Sequence, residues 1–191
     1  HPVLRKIKEG ETMDTKILDF IAKNMRSDWL DFLMKVFTFI GEAGIFGIAI
    51  AILCLCFKNY RKTGMYILIT MALGFLIGNL LLKNVIARDR PCVVHPELVH
   101  AISCPSGYSM PSGHTLHSFI PAFVLLFNKK WESGIITFVL ASLIAFSRMY
   151  FYVHYPSDIL FGFLLAALLS FVVWILFTKV KKLNQLFFKE G

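Results

Sequence analysis

The chain has 191 residues, 57% of them hydrophobic, a net charge of +8 and a mean hydropathy of +0.65. Soluble domains are roughly 45–50% apolar, so this composition excludes an ordinary water-soluble globule. The basic residues fall between apolar runs, where they meet anionic lipid head groups, and not in one patch interleaved with aromatics, so a membrane explains the charge better than nucleic acid does.

From the N-terminus, no apolar core with a small-residue cleavage site opens the chain, and Met13 is a candidate native start. Residues 16–36 alternate apolar and polar with helical spacing. Leu18, Ile21 and Met25 line one face; after a break at 24–28, Trp29, Leu33 and Val36 line another. Lys16, Asp19, Lys23, Asp31 and Lys35 lie off those faces, a pattern that suits amphipathic helices at the membrane interface. Residues 1–36 are therefore expected to be a tail with interfacial helices, and 37–191 a membrane-embedded domain.

Five strongly apolar stretches follow, over 37–57, 64–82, 113–127, 134–153 and 159–178. A span takes about 20 apolar residues, and in lipid the backbone must satisfy its own hydrogen bonds, so these runs are expected to be helices. The third is short and carries Pro121. The expected fold is all-α: a polytopic transmembrane bundle of about five to six spanning helices. Cys54 and Cys56 lie within an apolar run and read as packing residues, whereas Cys92 and Cys104 flank a polar loop and can pair only if it faces an oxidising compartment. Segments 57–64, 128–133 and the tail from Lys179 fall on one side and hold nine of the 20 Lys and Arg residues, which places them in the cytoplasm. Seven basic residues in the N-terminal region weigh the other way.

Polar residues within or beside such helices are functional suspects by default. Three clusters qualify, all at the same end of the expected bundle: Lys83 to Arg90–Pro91, Pro111–Ser112–Gly113–His114, and Ser147–Arg148 with His154 and Asp158. They hold no set of Asp, Glu and His fit for two metals. Lys83, Arg90 and Arg148 are fixed cations suited to a phosphoryl group, whose charge is spread over several oxygens. Ser112 and Gly113 stand where a helix begins and free N–H groups hold anions. Two histidines permit a two-step displacement, one attacking phosphorus and the other protonating the departing oxygen. Asp158, four residues beyond His154, shares its face if the helix begins that early, and would fix the imidazole tautomer. That makes His154 the nucleophile and His114 the acid.

The three clusters resemble the tripartite signature of the type 2 phosphatidic acid phosphatases, KxxxxxxRP, PSGH and SRxxxxxHxxxD, in order and in internal spacing. The resemblance spans about residues 37–178. It implies a phosphohistidine on His154, a general acid at His114, and phosphate contacts from Lys83, Arg90, Ser112, Gly113 and Arg148, with no metal or other cofactor. It also implies a multi-pass protein of the cell membrane, its site on the extracytoplasmic face. The expected substrate is a lipid-linked phosphate, with undecaprenyl diphosphate ahead of phosphatidylglycerol phosphate or phosphatidic acid. Soluble haloperoxidases share the motifs but not the apolar runs, and a non-enzymatic transport protein would explain the helices alone. Outside the motifs, Arg88 reads as an anchor or a second phosphate contact, and His117 as a supporting residue. Asn79 reads as an interhelical hydrogen-bond partner, and His95 and His100 as solvated loop residues. Phe161, Phe163 and Phe171 are expected to face lipid or neighbouring helices.

Overall fold

The computed structural model describes residues 12–99 and 101–179, and among these it contains helices and turns with no strand. The expectations for 1–11, for His100 and for the tail from 180 lie outside the described residues. Helix α1 (Met13–Asn24) begins under Thr12, whose hydroxyl accepts the Thr15 N–H at 3.4 Å, and Asp14 in its first turn suits the positive end of the helix dipole. Leu18 and Ile21 are buried as the periodicity predicts, Leu18 against Tyr152 and Tyr155. Met25, expected on that face, is exposed. Helix α2 (Asp28–Ile40) buries Met34 and Thr38, while Trp29 and Val36 point outward. Of the expected apolar face of 29–36, only Leu33 packs inward, half-buried against the cluster around Met34 and Tyr150.

The stretch 37–57, expected as one helix, is broken. After Gly41 a short turn (Glu42–Gly44) carries Ala43 at φ 49° and Gly44 at φ 76° before α3 (Ile45–Cys56) begins, and the two segments are bent by 46°. Glycine is needed on both sides of the break. Gly44 lies in the left-handed region, and a Cβ on Gly41 would stand 2.5 Å from Ile144 Cγ2. Helix α4 (Arg61–Gly74) continues through π-helical turns (Phe75–Leu82) into α5 (Lys83–Ile86), and α6 (Pro91–Val94) follows the Arg90–Pro91 motif. The remaining helices are α7 (Gly113–Phe127), α8 (Trp131–Tyr150) and α9 (Pro156–Lys179).

Among the described residues, three helical stretches are long and apolar enough to cross a bilayer, Lys58–Val94, Trp131–Tyr150 and Pro156–Lys179, and the bent α2–α3 pair makes a fourth if it is one span. Helix α7 has only 15 residues; it is the central helix, with Leu116, Ile120 and Val124 wholly buried between α8, α9 and α4. Pro121 lacks the N–H that would bond the His117 carbonyl four residues back, and Gly47 of α3 packs close against that carbonyl, where a Cβ would come to 2.7 Å. Large apolar side chains such as Ile52, Leu53, Ile136, Leu160, Leu164 and Leu168 face outward, as lipid-facing surfaces require. Phe163 packs edge-on against Phe119 and Phe138, and Phe171 lies beside Trp174. Cys54 is buried, Cys56 is exposed, and Cys92 is joined to Cys104.

Candidate active site

The three clusters meet at one end of the bundle. A cavity of about 530 Å³ is lined by Lys83, Arg90, Gly113, His114, Arg148 and His154, together with the broken turn Gly41–Gly44. Lys83 arrives from the far end of the α4–α5 rod, His114 from the first turn of α7, and Arg148 from the last turn of α8. Each charged side chain therefore sits where a helix ends, near the water boundary, with its apolar length packed in the bundle.

His154 is not on a helix. Helix α9 begins at Pro156, so His154 lies in the 151–155 turn, and the shared helical face expected for His154 and Asp158 is not what joins them. Asp158 reaches back instead: its Oδ2 accepts the Tyr155 N–H at 2.8 Å and lies 3.5 Å from His154 Nδ1. The Ser109 hydroxyl donates to the same carboxylate oxygen and stands 3.4 Å from His154 Nδ1. Arg88 Nη1 donates to Asp158 Oδ1 at 2.8 Å. A carboxylate with this many donors is held ionised and still, and an Nδ1–H pointing toward it leaves the lone pair on Nε2.

That lone pair faces Arg90, whose Nη1 lies 2.9 Å from His154 Nε2. Arg90 is itself fixed by the carbonyls of Gly107 (2.9 Å) and Val153 (3.1 Å). Burial pushes the His154 imidazole down to about 3, opposed by the Asp158 hydrogen bond and reinforced by Arg90 and Arg148. The ring is neutral at physiological pH, as a nucleophile requires.

The opposite wall is less tied. His114 Nε2 makes no hydrogen bond, and its nearest acid is Glu42, 3.4 Å away on the broken turn. Arg148 is 2% exposed and donates from Nη1 to the Thr38 hydroxyl, while its Nε has no partner. Ser112 is wholly buried; its hydroxyl caps α7, accepting from Thr115 Oγ1 at 3.0 Å, and its N–H is given to the Asp158 carbonyl at 3.2 Å. Of that pair, Gly113 is the one on the cavity wall.

Arg88 is neither an anchor nor a wall of the cavity. It bridges Asp158 to Asp14 of α1 (2.8 Å) and lies over the Tyr155 ring at 4.0 Å. Asn79, expected to bond a neighbouring helix, leaves its Oδ1 without a partner and lines the cavity with His117. His95 stays in the loop, paired with Glu97 at 3.4 Å. Sequence reasoning missed Ser109, Thr38, Glu42 and Asp14, none of which stands in a motif.

Fold and site together define a helical membrane protein built around a buried histidine–carboxylate pair faced by cations. The family model for the PAP2 superfamily matches residues 63–182, and the chain belongs to that family, the type 2 phosphatidic acid phosphatases. It is similar to the undecaprenyl-diphosphatase of Sulfolobus acidocaldarius, 34% identical over 126 residues, covering 65% of this chain and 60% of that one. It is also similar to phosphatidylglycerophosphatase B of Bacillus subtilis, 32% identical over 173 residues, covering 84% of this chain and 82% of the relative. The chain thus spans less than two thirds of the archaeal relative's length and most of the bacterial one's. The crystal structure of Aquifex aeolicus LpxE shares the fold, with a TM-score of 0.74 over 86% of this chain and 96% of that one at 23% identity.

Proposed function

We propose that this chain is a metal-independent phosphatase of the cell membrane that hydrolyses a lipid-linked phosphate or diphosphate through a phosphohistidine. The observation that carries the reading is the His154 ring: neutral, oriented from Nδ1 by Asp158 and Ser109, its Nε2 turned to a cavity that also holds Lys83, Arg90, Arg148 and His114. Phosphate oxygens take over the guanidinium of Arg90 and are gripped by Lys83, Arg148 and the Gly113 backbone. The Nε2 lone pair attacks phosphorus, the bond from phosphorus to the lipid oxygen breaks, and His114 gives that oxygen its proton. His114 then takes a proton from water as the water attacks the phosphohistidine, releasing inorganic phosphate and restoring both rings. Asp158 stabilises the positive charge on His154 throughout.

Undecaprenyl diphosphate is the first substrate to try, and phosphatidylglycerol phosphate the second; the names of the two relatives point to one each. An extracytoplasmic site is supported by the Cys92–Cys104 pair in the loop beside it, since disulfides persist in oxidising compartments. The testing experiment is phosphate release by detergent-solubilised protein in EDTA across these two lipids and phosphatidic acid. Release by wild type that is lost in folded His154→Ala, a fall of at least about 10⁴-fold, is the expected result. Release by the variant at the wild-type rate overturns the nucleophile.

A further inference from the structure

The cavity wall has two parts. One carries Lys83, Arg90, Arg148, His114 and His154. Beside it, one turn along α7 from His114 and four residues before Lys83 on the rod, stand His117 and Asn79. The residues around them are apolar: Ile48, Leu68, Met71 and Phe75.

His117 is 8% exposed and its Nδ1 has no hydrogen-bond partner; Asn79 Oδ1 is likewise buried and unpartnered. A polar side chain at membrane depth normally pairs with a neighbouring helix, because an unmet group there is costly. Three glycines pack close to His117: a Cβ on Gly44 would stand 3.6 Å from its Cβ, one on Gly74 would stand 3.6 Å from its Cε1, and Gly47 abuts its carbonyl. Asn79 lies against Gly113, whose added Cβ would stand 3.4 Å from Oδ1. Glycines thus let the neighbouring backbones come close to both polar groups at the cavity wall.

We propose that Asn79 and His117 form a subsite for the leaving group, binding the oxygens of the lipid on the far side of the scissile phosphorus–oxygen bond. The subsite rests on the phosphatase reading for which bond is cut, and on the geometry alone for what binds. With the phosphoryl group among the cations, the oxygen that His114 protonates lies beside α7, and the next oxygens along the lipid reach His117, one turn on from His114, and Asn79, one turn from Lys83. Imidazole and carboxamide each offer both a donor and an acceptor, which suits an oxygen-rich linker: the inner phosphate of a polyprenyl diphosphate, or the glycerol oxygens of a phospholipid. The hydrocarbon continues along Met71 and Phe75.

The test compares wild type with Asn79→Leu, His117→Leu and the hydrogen-bonding His117→Gln in two ways. In turnover, kcat/KM is measured for undecaprenyl diphosphate, phosphatidylglycerol phosphate and p-nitrophenyl phosphate, whose leaving group lacks those oxygens. The leucine variants are expected to lose about tenfold more on a lipid than on the aryl phosphate, with partial rescue by His117→Gln. The lipid that suffers the larger differential identifies the linker. In binding, the thermal stabilisation given by undecaprenyl monophosphate and by phosphatidylglycerol, the two leaving groups, is measured in detergent; at least one is expected to stabilise wild type and not the leucine variants. Parallel losses on lipid and aryl substrates, or equal stabilisation of wild type and variants, overturn the subsite. A wild type that turns over nothing overturns the phosphatase reading, and the subsite is then decided by stabilisation alone, its absence in wild type counting against it.

Discussion

The two histidines of the site differ at Nε2. His154 is surrounded: Asp158 and Ser109 stand at Nδ1, Arg90 at Nε2, and the ring is 1% exposed in a turn closed by Asp158 itself. His114 stands on the first turn of α7 with no hydrogen bond at Nε2, facing the broken turn between α2 and α3. The difference follows from what each must do. A nucleophile works from one fixed line of attack, and its orientation is built into the fold before substrate arrives. A proton donor must reach an oxygen supplied by the substrate, and its last contact is completed by that oxygen.

The comparison breaks first at Asp158. Asp158→Asn is expected to cost about 10³-fold in kcat, and equally on lipid and aryl phosphates, because it acts on attack and not on departure. Steady-state assays on both substrates check this; a loss confined to the lipid would mean that the carboxylate serves the leaving group. His114→Gln is expected to cost about 10²-fold on a lipid phosphate and clearly less on p-nitrophenyl phosphate, whose departing oxygen needs little protonation. Equal losses on both would remove the acid role.

The pH response sharpens the contrast further. His154 titrates near 6.5 in the unfolded chain and is pushed down to about 3 by burial in the folded one. Between those values the unfolded chain binds the extra proton, so the contribution of this residue to stability is complete above about 6.5 and is lost as pH falls toward 3, with a slope of up to about 1.4 kcal/mol per pH unit. Thermal unfolding in detergent should show that slope in wild type and a shallower one in His154→Gln; identical slopes would place the titration elsewhere. The smallest effect is expected at Ser109. Ser109→Ala removes one of several donors to Asp158 and should lower kcat about threefold to tenfold with KM little changed; a KM effect of that size with kcat intact would count against a positioning role.

The composition and the apolar runs made the helical membrane bundle legible, and three spaced motifs made the charged wall of the cavity legible. What escaped was whatever depends on backbone direction. Gly41 and Gly44 looked like ordinary residues in an apolar stretch, yet a left-handed φ and a close approach to Ile144 split the helix there and turn Glu42 toward His114. The spacing of His154 and Asp158 suggested a helical pair, whereas Pro156 starts the helix too late and the contact is made by a carboxylate folding back. Ser109 has no signal in a single sequence, since a serine in a polar loop is common and only the fold brings it to Asp158. Arg88 was read from its place at a helix end, and one of its two carboxylate partners, Asp14, lies 74 residues away.

That last contact bears on the order in which the molecule is made. Asp14 holds Arg88 and accepts both the N–H and the hydroxyl of Ser157, while Tyr152 donates to Asp19 at 2.8 Å on the same helix. Helix α1 is the first of the described helices to be made, and its docking partners come later in the chain: Arg88, the 151–155 turn and Ser157 in the first turn of α9. Until α9 is made, Asp14 lacks Ser157, and Asp158 is not yet present to meet Arg88. The carboxylate that orients His154 is therefore the last part of the site to be made.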